Sequence, residues 1–162
     1  MNGPIDAVTQ GQVPFGGREP MLAKLHDYWR SKCAGRTMPA RRDIDMVEID
    51  RTILPYIILH DIVRSPDQSA RPRYRYRLIG TELVNAIGAD VTNRFLDDVL
   101  TPERGGLVWD WLDAAERSAR PMTLDMPLAY PDREFRHARR IVLPLSDCGK
   151  RPDILMCCVS LG

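Results

Sequence analysis

The segment RYRYRLIGTEL, residues 73–83, constrains the fold more than any other part of the chain. Successive side chains of an extended strand point to opposite faces, so Tyr74, Tyr76 and Leu78 are predicted on one face and the arginines on the other. Gly80 ends this alternation, and the apolar residues after it recur at helical spacing. The pattern therefore predicts a strand that passes through a turn into a short helix. It contains no nucleophile and no phosphate-binding loop.

Length and composition indicate one globular domain. The chain has 162 residues, of which 44% are hydrophobic and 28% charged, as in ordinary globular proteins. The net charge of +1 implies no bulk attraction to nucleic acid, so nucleic-acid binding is not predicted. No apolar run approaches the roughly 20 residues of a membrane span. The first 17 residues lack a charged start followed by an apolar core, so the cytoplasm is the expected compartment.

The N-terminal part combines a polar segment with an amphipathic helix. Residues 1–18 are rich in glycine, proline and glutamine and predict a disordered tail. A helix follows with proline in its first turn, and it places Leu22, Leu25 and Trp29 on one face. Such a face must be buried, either against its own domain or against a partner.

The remaining pattern orders two strands, a helical region and three further strands. The first run is β-branched and apolar, which is typical of a buried strand. The longest helix begins after Thr101, with proline and glutamate in its first turn. Strands gathered on both sides of a helical region predict an antiparallel α+β domain. The strand candidates are residues 56–63, the segment ending before Gly80, 121–130, 134–145 and 154–161.

Several motifs in this order resemble a bacterial PAS-like family. They are Tyr28-Trp29, Pro39-x-Arg41-x-Asp43-Ile44, Tyr76-Arg77-Leu78-Ile79-Gly80-Thr81 and Leu143-Pro144-Leu145 before Asp147. The resemblance covers about residues 20–161 and implies a PAS-like domain at 19–162. It implies a five-stranded antiparallel sheet with helices over one face and an N-terminal flanking helix. It further implies a non-catalytic sensory or protein-interaction module in bacterial regulation.

The resemblance leaves the ligand and any cofactor unknown. Thr92-Asn93-Arg94-Phe95-Leu96 resembles the segment in which flavin-binding photosensory PAS domains carry a reactive cysteine, and Asn93 stands at that place. A flavin–thiol adduct is therefore not expected. Haem-binding PAS domains usually take a histidine from the central helical region, and residues 88–100 contain none. The three histidines show no metal-ligand spacing, so no metal site is predicted.

Aromatic side chains on the sheet and the long helix predict a pocket between them, because aromatic faces suit a planar ligand. Ordinary core packing is the alternative for the same residues. The pocket candidates are Tyr74, Tyr76, Leu78, Trp111, Phe135 and His137.

The sequence also leads to expectations about binding partners and to one alternative function. The helix face of Leu22, Leu25 and Trp29 is expected to mediate homodimerisation or the docking of a regulatory protein. A small-molecule ligand is expected in the cup between helices and sheet. The alternative is a cup-shaped α+β enzyme of the NTF2-like kind, which needs an Asp–His or Asp–Tyr pair inside the cup, with His137 and Tyr76 as the best members.

Overall fold

The computed structural model describes residues 3–128 and 137–162. These residues form six β-strands and four α-helices, with short 3-10 helices in the connections. In chain order the elements are β1 (Ile5–Ala7), α1 (Pro20–Cys33), β2 (Ile57–Val63), β3 (Arg73–Ile79), α2 (Thr81–Ile87), α3 (Leu96–Val99), α4 (Pro102–Ser118), β4 (Met122–Pro127), β5 (His137–Leu145) and β6 (Ile154–Leu161). No helix within the described ranges is both long and apolar enough to cross a membrane.

The six strands form one antiparallel sheet in the order β1-β4-β5-β6-β2-β3. Strands β2 to β6 are the five that the sequence predicts, and α2, α3 and α4 lie between β3 and β4 in the chain. The predicted antiparallel α+β architecture is confirmed.

The N-terminal segment differs from the disordered tail predicted for residues 1–18. Strand β1 pairs with β4, with Ile5 opposite Leu124, and Asp125 N–H donates to Pro4 O at 3.0 Å. A sheet edge exposes unpaired N–H and C=O groups, and a short strand can satisfy them with little apolar mass of its own. Composition alone misses this edge strand because its stabilisation comes from main-chain hydrogen bonds.

A bulge in the β2–β3 hairpin changes the predicted faces of β3. Leu59 lies opposite Leu78, but the next residue of β2, His60, lies opposite Tyr76. The extra residue Arg77 therefore inverts the alternation beyond it. Tyr76 is 2% exposed on one face, whereas Leu78 is 39% exposed on the other. The prediction that Leu78 shares a face with the tyrosines is not what the structure shows.

Gly80 is required by a close backbone approach at the start of α2. A Cβ atom at this position would lie 2.2 Å from the carbonyl oxygen of Pro55. The Gly80 N–H also donates to Ile57 O at 2.8 Å, which fixes the end of the hairpin against the preceding connection. Any side chain here displaces backbone.

Each face of the sheet has its own hydrophobic core. On the face called here the cup face, α2, α3 and α4 cover Ile58, Tyr74, Tyr76, Val142 and Cys157. On the opposite α1 face, helix α1 and the connection after it cover Ile57, Leu59, Ile141, Leu143, Met156 and Cys158. Neighbouring strand residues such as Cys157 and Cys158 thus enter different cores, as the alternation of a strand requires.

Helix α1 packs its apolar side onto its own sheet. It begins at Pro20 and ends at Cys33, and the next residue, Ala34, caps it with a φ of 50°. Leu22, Leu25 and Trp29 are 0%, 1% and 4% exposed, and Trp29 Nε1 donates to Pro144 O at 2.8 Å. The expectation that these three side chains bind a partner is therefore corrected, because they form the core of the α1 face.

Candidate ligand cavity

A cavity of about 40 Å³ lies between the cup face and the helices that cover it. Its helical wall is apolar and comes from α2 and α4, through Leu83, Ala86, Ile87, Val108 and Trp111. Its sheet wall comes from Ile58, His60, Tyr76, Arg140, Cys157 and Val159. Leu100 and Leu128 complete the described lining. This volume has room for a few water molecules or a small chemical group.

His60 is the buried polar group at the centre of the sheet wall. It is 2% exposed, and its ring lies 4.7 Å from the Tyr76 ring, centroid to centroid. Its Nδ1 atom is buried and has no hydrogen-bond partner among the described residues. Burial lowers the pKa of the imidazole to about 3, so His60 is neutral at physiological pH. A neutral imidazole carries one donor and one acceptor nitrogen.

Arg140 brings a guanidinium to the same wall from β5. It is 5% exposed, and it donates to Met126 O at 3.1 Å and to Ala138 O at 3.2 Å. These carbonyls hold the side chain at the edge of the cavity. None of the described lining residues is a carboxylate.

The cavity brings together two of the predicted pocket residues, Tyr76 and Trp111. Trp111 is 2% exposed, and its Nε1 donates to Met122 O at 3.0 Å. Tyr74 lies in the same core but outside the lining, where its hydroxyl donates to Asp113 at 2.5 Å. Burial, together with that hydrogen bond, raises the pKa of Tyr74. Tyr74 therefore supports α4 on the sheet without reaching the cavity.

The other three pocket candidates do not line the cavity in the described structure. Leu78 lies on the opposite face because of the bulge at Arg77. His137 shares its face of β5 with Ile141 and Leu143, which belong to the α1 face. Its side chain is 51% exposed, and its Nε2 lies 2.7 Å from Asp125 Oδ1. Phe135 lies outside the described residues.

His60 and Arg140 are the cavity residues that sequence reasoning missed. His60 alternates with Ile58 and Ile62 in an apolar strand, which marks it as facing a core. Arg140 gives no such signal, because arginine side chains are mostly exposed and the sequence alone does not show that this one is buried. The arginines of β3 do not join it, since Arg75 and Arg77 are paired with Asp61 at 2.8 and 3.1 Å on the other side of the hairpin.

The described residues form neither a metal site nor a photosensory cysteine site. Residues 3–128 and 137–162 contain no group of three or more His, Cys, Asp or Glu side chains that could hold a metal ion. Asn93, at the place of the photosensory cysteine, has a φ of 69° and donates its N–H to Tyr76 O at 2.6 Å. It serves as a turn residue beside the edge strand.

One comparison with known proteins shows the family. A family model described as "PAS domain" matches residues 18–159. A solved structure, a domain of an HTR-like protein from Haloarcula marismortui ATCC 43049, aligns with a TM-score of 0.48 and 14% sequence identity. The alignment covers 66% of this chain and 97% of that chain. No curated protein matches.

Proposed function

Since this chain belongs to the PAS domain family, we propose that it is a non-catalytic sensor that binds a small ligand between the cup face and α4. PAS domains are sensory and signalling modules, which supports the general part of this proposal. The specific part of the proposal is that the chain binds a small ligand and passes the signal to a partner protein.

The observation that carries the proposal is the buried Nδ1 of His60 at a cavity with an otherwise largely apolar wall. Buried polar atoms in native proteins nearly always have a hydrogen-bond partner, and leaving one without costs about 1–3 kcal/mol. A ligand that exchanges one hydrogen bond with His60 removes this cost. The unsatisfied nitrogen thus supports a bound molecule as part of the functional state.

The cavity also limits the ligand. Pockets for drug-sized molecules have volumes of about 300–1,000 Å³, far above the 40 Å³ found here. We therefore propose a compact, mostly apolar molecule of a few heavy atoms with one hydrogen-bonding group. A ring system of flavin or haem size needs a rearranged cup.

We propose that the signal from ligand binding passes to a second copy of the chain or to a regulatory protein. The side chains of α1 that the sequence suggested for this contact are in the core of the α1 face. A partner must therefore use other surfaces or the outer side of α1.

The alternative, a cup-shaped enzyme, has less support from the described residues. It needs an acid–base pair inside the cup, but His137 and its neighbour Asp125 lie on the far side of β5. Tyr76 reaches the cavity, and no carboxylate is among the described lining residues. The sensory function is the better supported of the two.

Native mass spectrometry of the protein purified from its own host tests the proposal. We expect a non-covalent adduct of low mass that disappears on denaturation. In a His60→Phe variant the larger apolar ring fills the cavity and removes the hydrogen-bonding nitrogens, so the adduct should be absent. His137→Gln is the matched control and should keep it. A wild type without any adduct, or equal adducts in wild type and His60→Phe, contradicts the proposed site.

A further inference from the structure

A second and larger depression lies on the α1 side of the molecule. This basic cleft has a volume of about 420 Å³, and its lining includes His26, Trp29, Arg30, Arg36 and Arg120. Three separate segments form it: the residues after β1, the second half of α1 with its C-terminal turn, and the turn between α4 and β4. The Val8 N–H donates to Pro121 O at 2.9 Å, which joins two of these walls.

The charged side chains that line the basic cleft in the described structure are all positive. Its described lining contains three guanidinium groups, from Arg30, Arg36 and Arg120, and no carboxylate. Arg36 is held at the end of α1 by Cys33 O at 2.9 Å and by Asp43 at 2.8 Å.

The guanidiniums of Arg30 and Arg120 have weaker carboxylate pairing than that of Arg36. The nearest carboxylate to Arg30 in an ion pair is Asp27, at 3.8 Å. The described residues offer Arg120 no ion pair. Two weakly compensated cations beside a third that is held in place favour an anion between them.

His26 supplies an independent sign of a ligand. Its side chain is 4% exposed and stacks on Trp29 with a ring distance of 6.2 Å and an interplanar angle of 15°. It lines the cleft, yet its ring nitrogens have no hydrogen bond to any described residue. Burial, and then the charge of Arg30, lower its pKa, so the ring is neutral and offers one N–H donor. A nearly buried side chain that lines a basic cleft can donate this N–H to an anion bound there.

We propose that the basic cleft binds a phosphate-bearing small molecule. Guanidinium groups bind phosphate oxygens through paired, charge-assisted hydrogen bonds, and three of them here come from two different elements. The His26 N–H and the hydroxyls of Thr9 and Thr37 provide further donors for the remaining oxygens. This site is separate from the cavity at His60, and the two proposals stand or fall independently.

Calorimetric titration with inorganic pyrophosphate and with ADP at low salt tests the site. We expect saturable binding by the wild type that weakens as salt is added, since the contact is ionic. The double variant Arg30→Gln/Arg120→Gln removes two exposed guanidiniums without touching the core, and it should weaken binding by about 100-fold, because each charge-assisted hydrogen bond is worth about tenfold or more. Arg51→Gln, an exposed arginine outside the cleft, controls for the loss of positive charge and should bind like the wild type.

The remaining outcomes each overturn the proposal. Absence of binding to both probes by the wild type shows that the cleft is not a phosphate site. An equal loss in Arg51→Gln and the double variant shows general charge attraction only. Binding of citrate with neither phosphate probe bound shows a carboxylate site instead. Thermal melting verifies that each variant is folded, and Arg120→Gln alone, expected to lose about tenfold, replaces the double variant if that one unfolds.

Discussion

The two faces of the sheet bury similar numbers of apolar side chains but differ in what they can do. The α1 face is covered by the connection after α1 and by α1 itself, whose large side chains, such as Leu22 and Trp29, insert fully into the core. The cup face is covered by three helices, and between them and the sheet lies a cavity with His60 and Arg140 in its wall. The α1 face therefore forms a packed support, whereas the helices of the cup face leave a cavity. We propose that support and ligand binding lie on opposite faces of one sheet.

The largest expected effect tests the supporting role of the α1 face. Trp29→Ala should lower the free energy of unfolding by about 3–5 kcal/mol, because it leaves a large cavity and an unpaired Pro144 carbonyl. Trp109→Ala is the control on α4, where the indole is only partly buried and its Nε1 donates to Pro72 O at 3.1 Å. Urea denaturation measures both variants. A smaller loss for Trp29 than for Trp109 would mean that the α1 face is not the supporting one.

The second prediction concerns the stability of the contact at Gly80, where the end of the β2–β3 hairpin meets the preceding connection. Gly80→Ala introduces a Cβ atom against the Pro55 carbonyl, and we expect a loss of about 1–3 kcal/mol from backbone displacement. Gly106→Ala is the matched control, since a Cβ there meets nothing within 4 Å inside helix α4. That control should gain about 0.5–1 kcal/mol from its higher helix propensity. Equal thermal stabilities of the two variants would contradict the close approach at Gly80.

Some parts of this fold can be predicted from the sequence and others cannot. Alternation and β-branched runs locate β2 to β6, because strand formation depends on local pattern and on burial. The face of Leu78 is not predictable in this way, since one bulged residue in the hairpin reverses it. An apolar face on α1 shows that burial is needed but does not say against what. His60 becomes a site residue only when strand pairing places Tyr76 opposite it and the helices cover both.

The dependence of stability on pH tests the burial of His60 on the cup face. The pKa of His60 is about 3 in the fold and about 6.5 in an unfolded chain, so the unfolded state binds the extra proton below pH 6.5. Its contribution to stability is fully present above pH 6.5 and is lost as the pH falls toward 3. Between pH 6.5 and 5 we expect a loss that approaches about 1.4 kcal/mol per pH unit.

A variant comparison assigns this pH dependence. His60→Gln should flatten most of the slope, although His26, whose pKa is also lowered, leaves a part of it. Ile58→Val, on the same strand and face, is the control that lowers stability without changing the slope. Urea midpoints at several pH values give the result. An unchanged slope in His60→Gln would show that His60 is not buried in a neutral form.

The most direct test of the contrast between the faces is methyl NMR under xenon pressure, because xenon enters apolar cavities large enough to hold it. We expect xenon-induced shifts at the methyl groups of Leu83, Ile87 and Val108 around the cavity, and none at Leu22 and Leu143 on the α1 face. Shifts confined to the α1 face, or absent from both faces, would contradict this expectation.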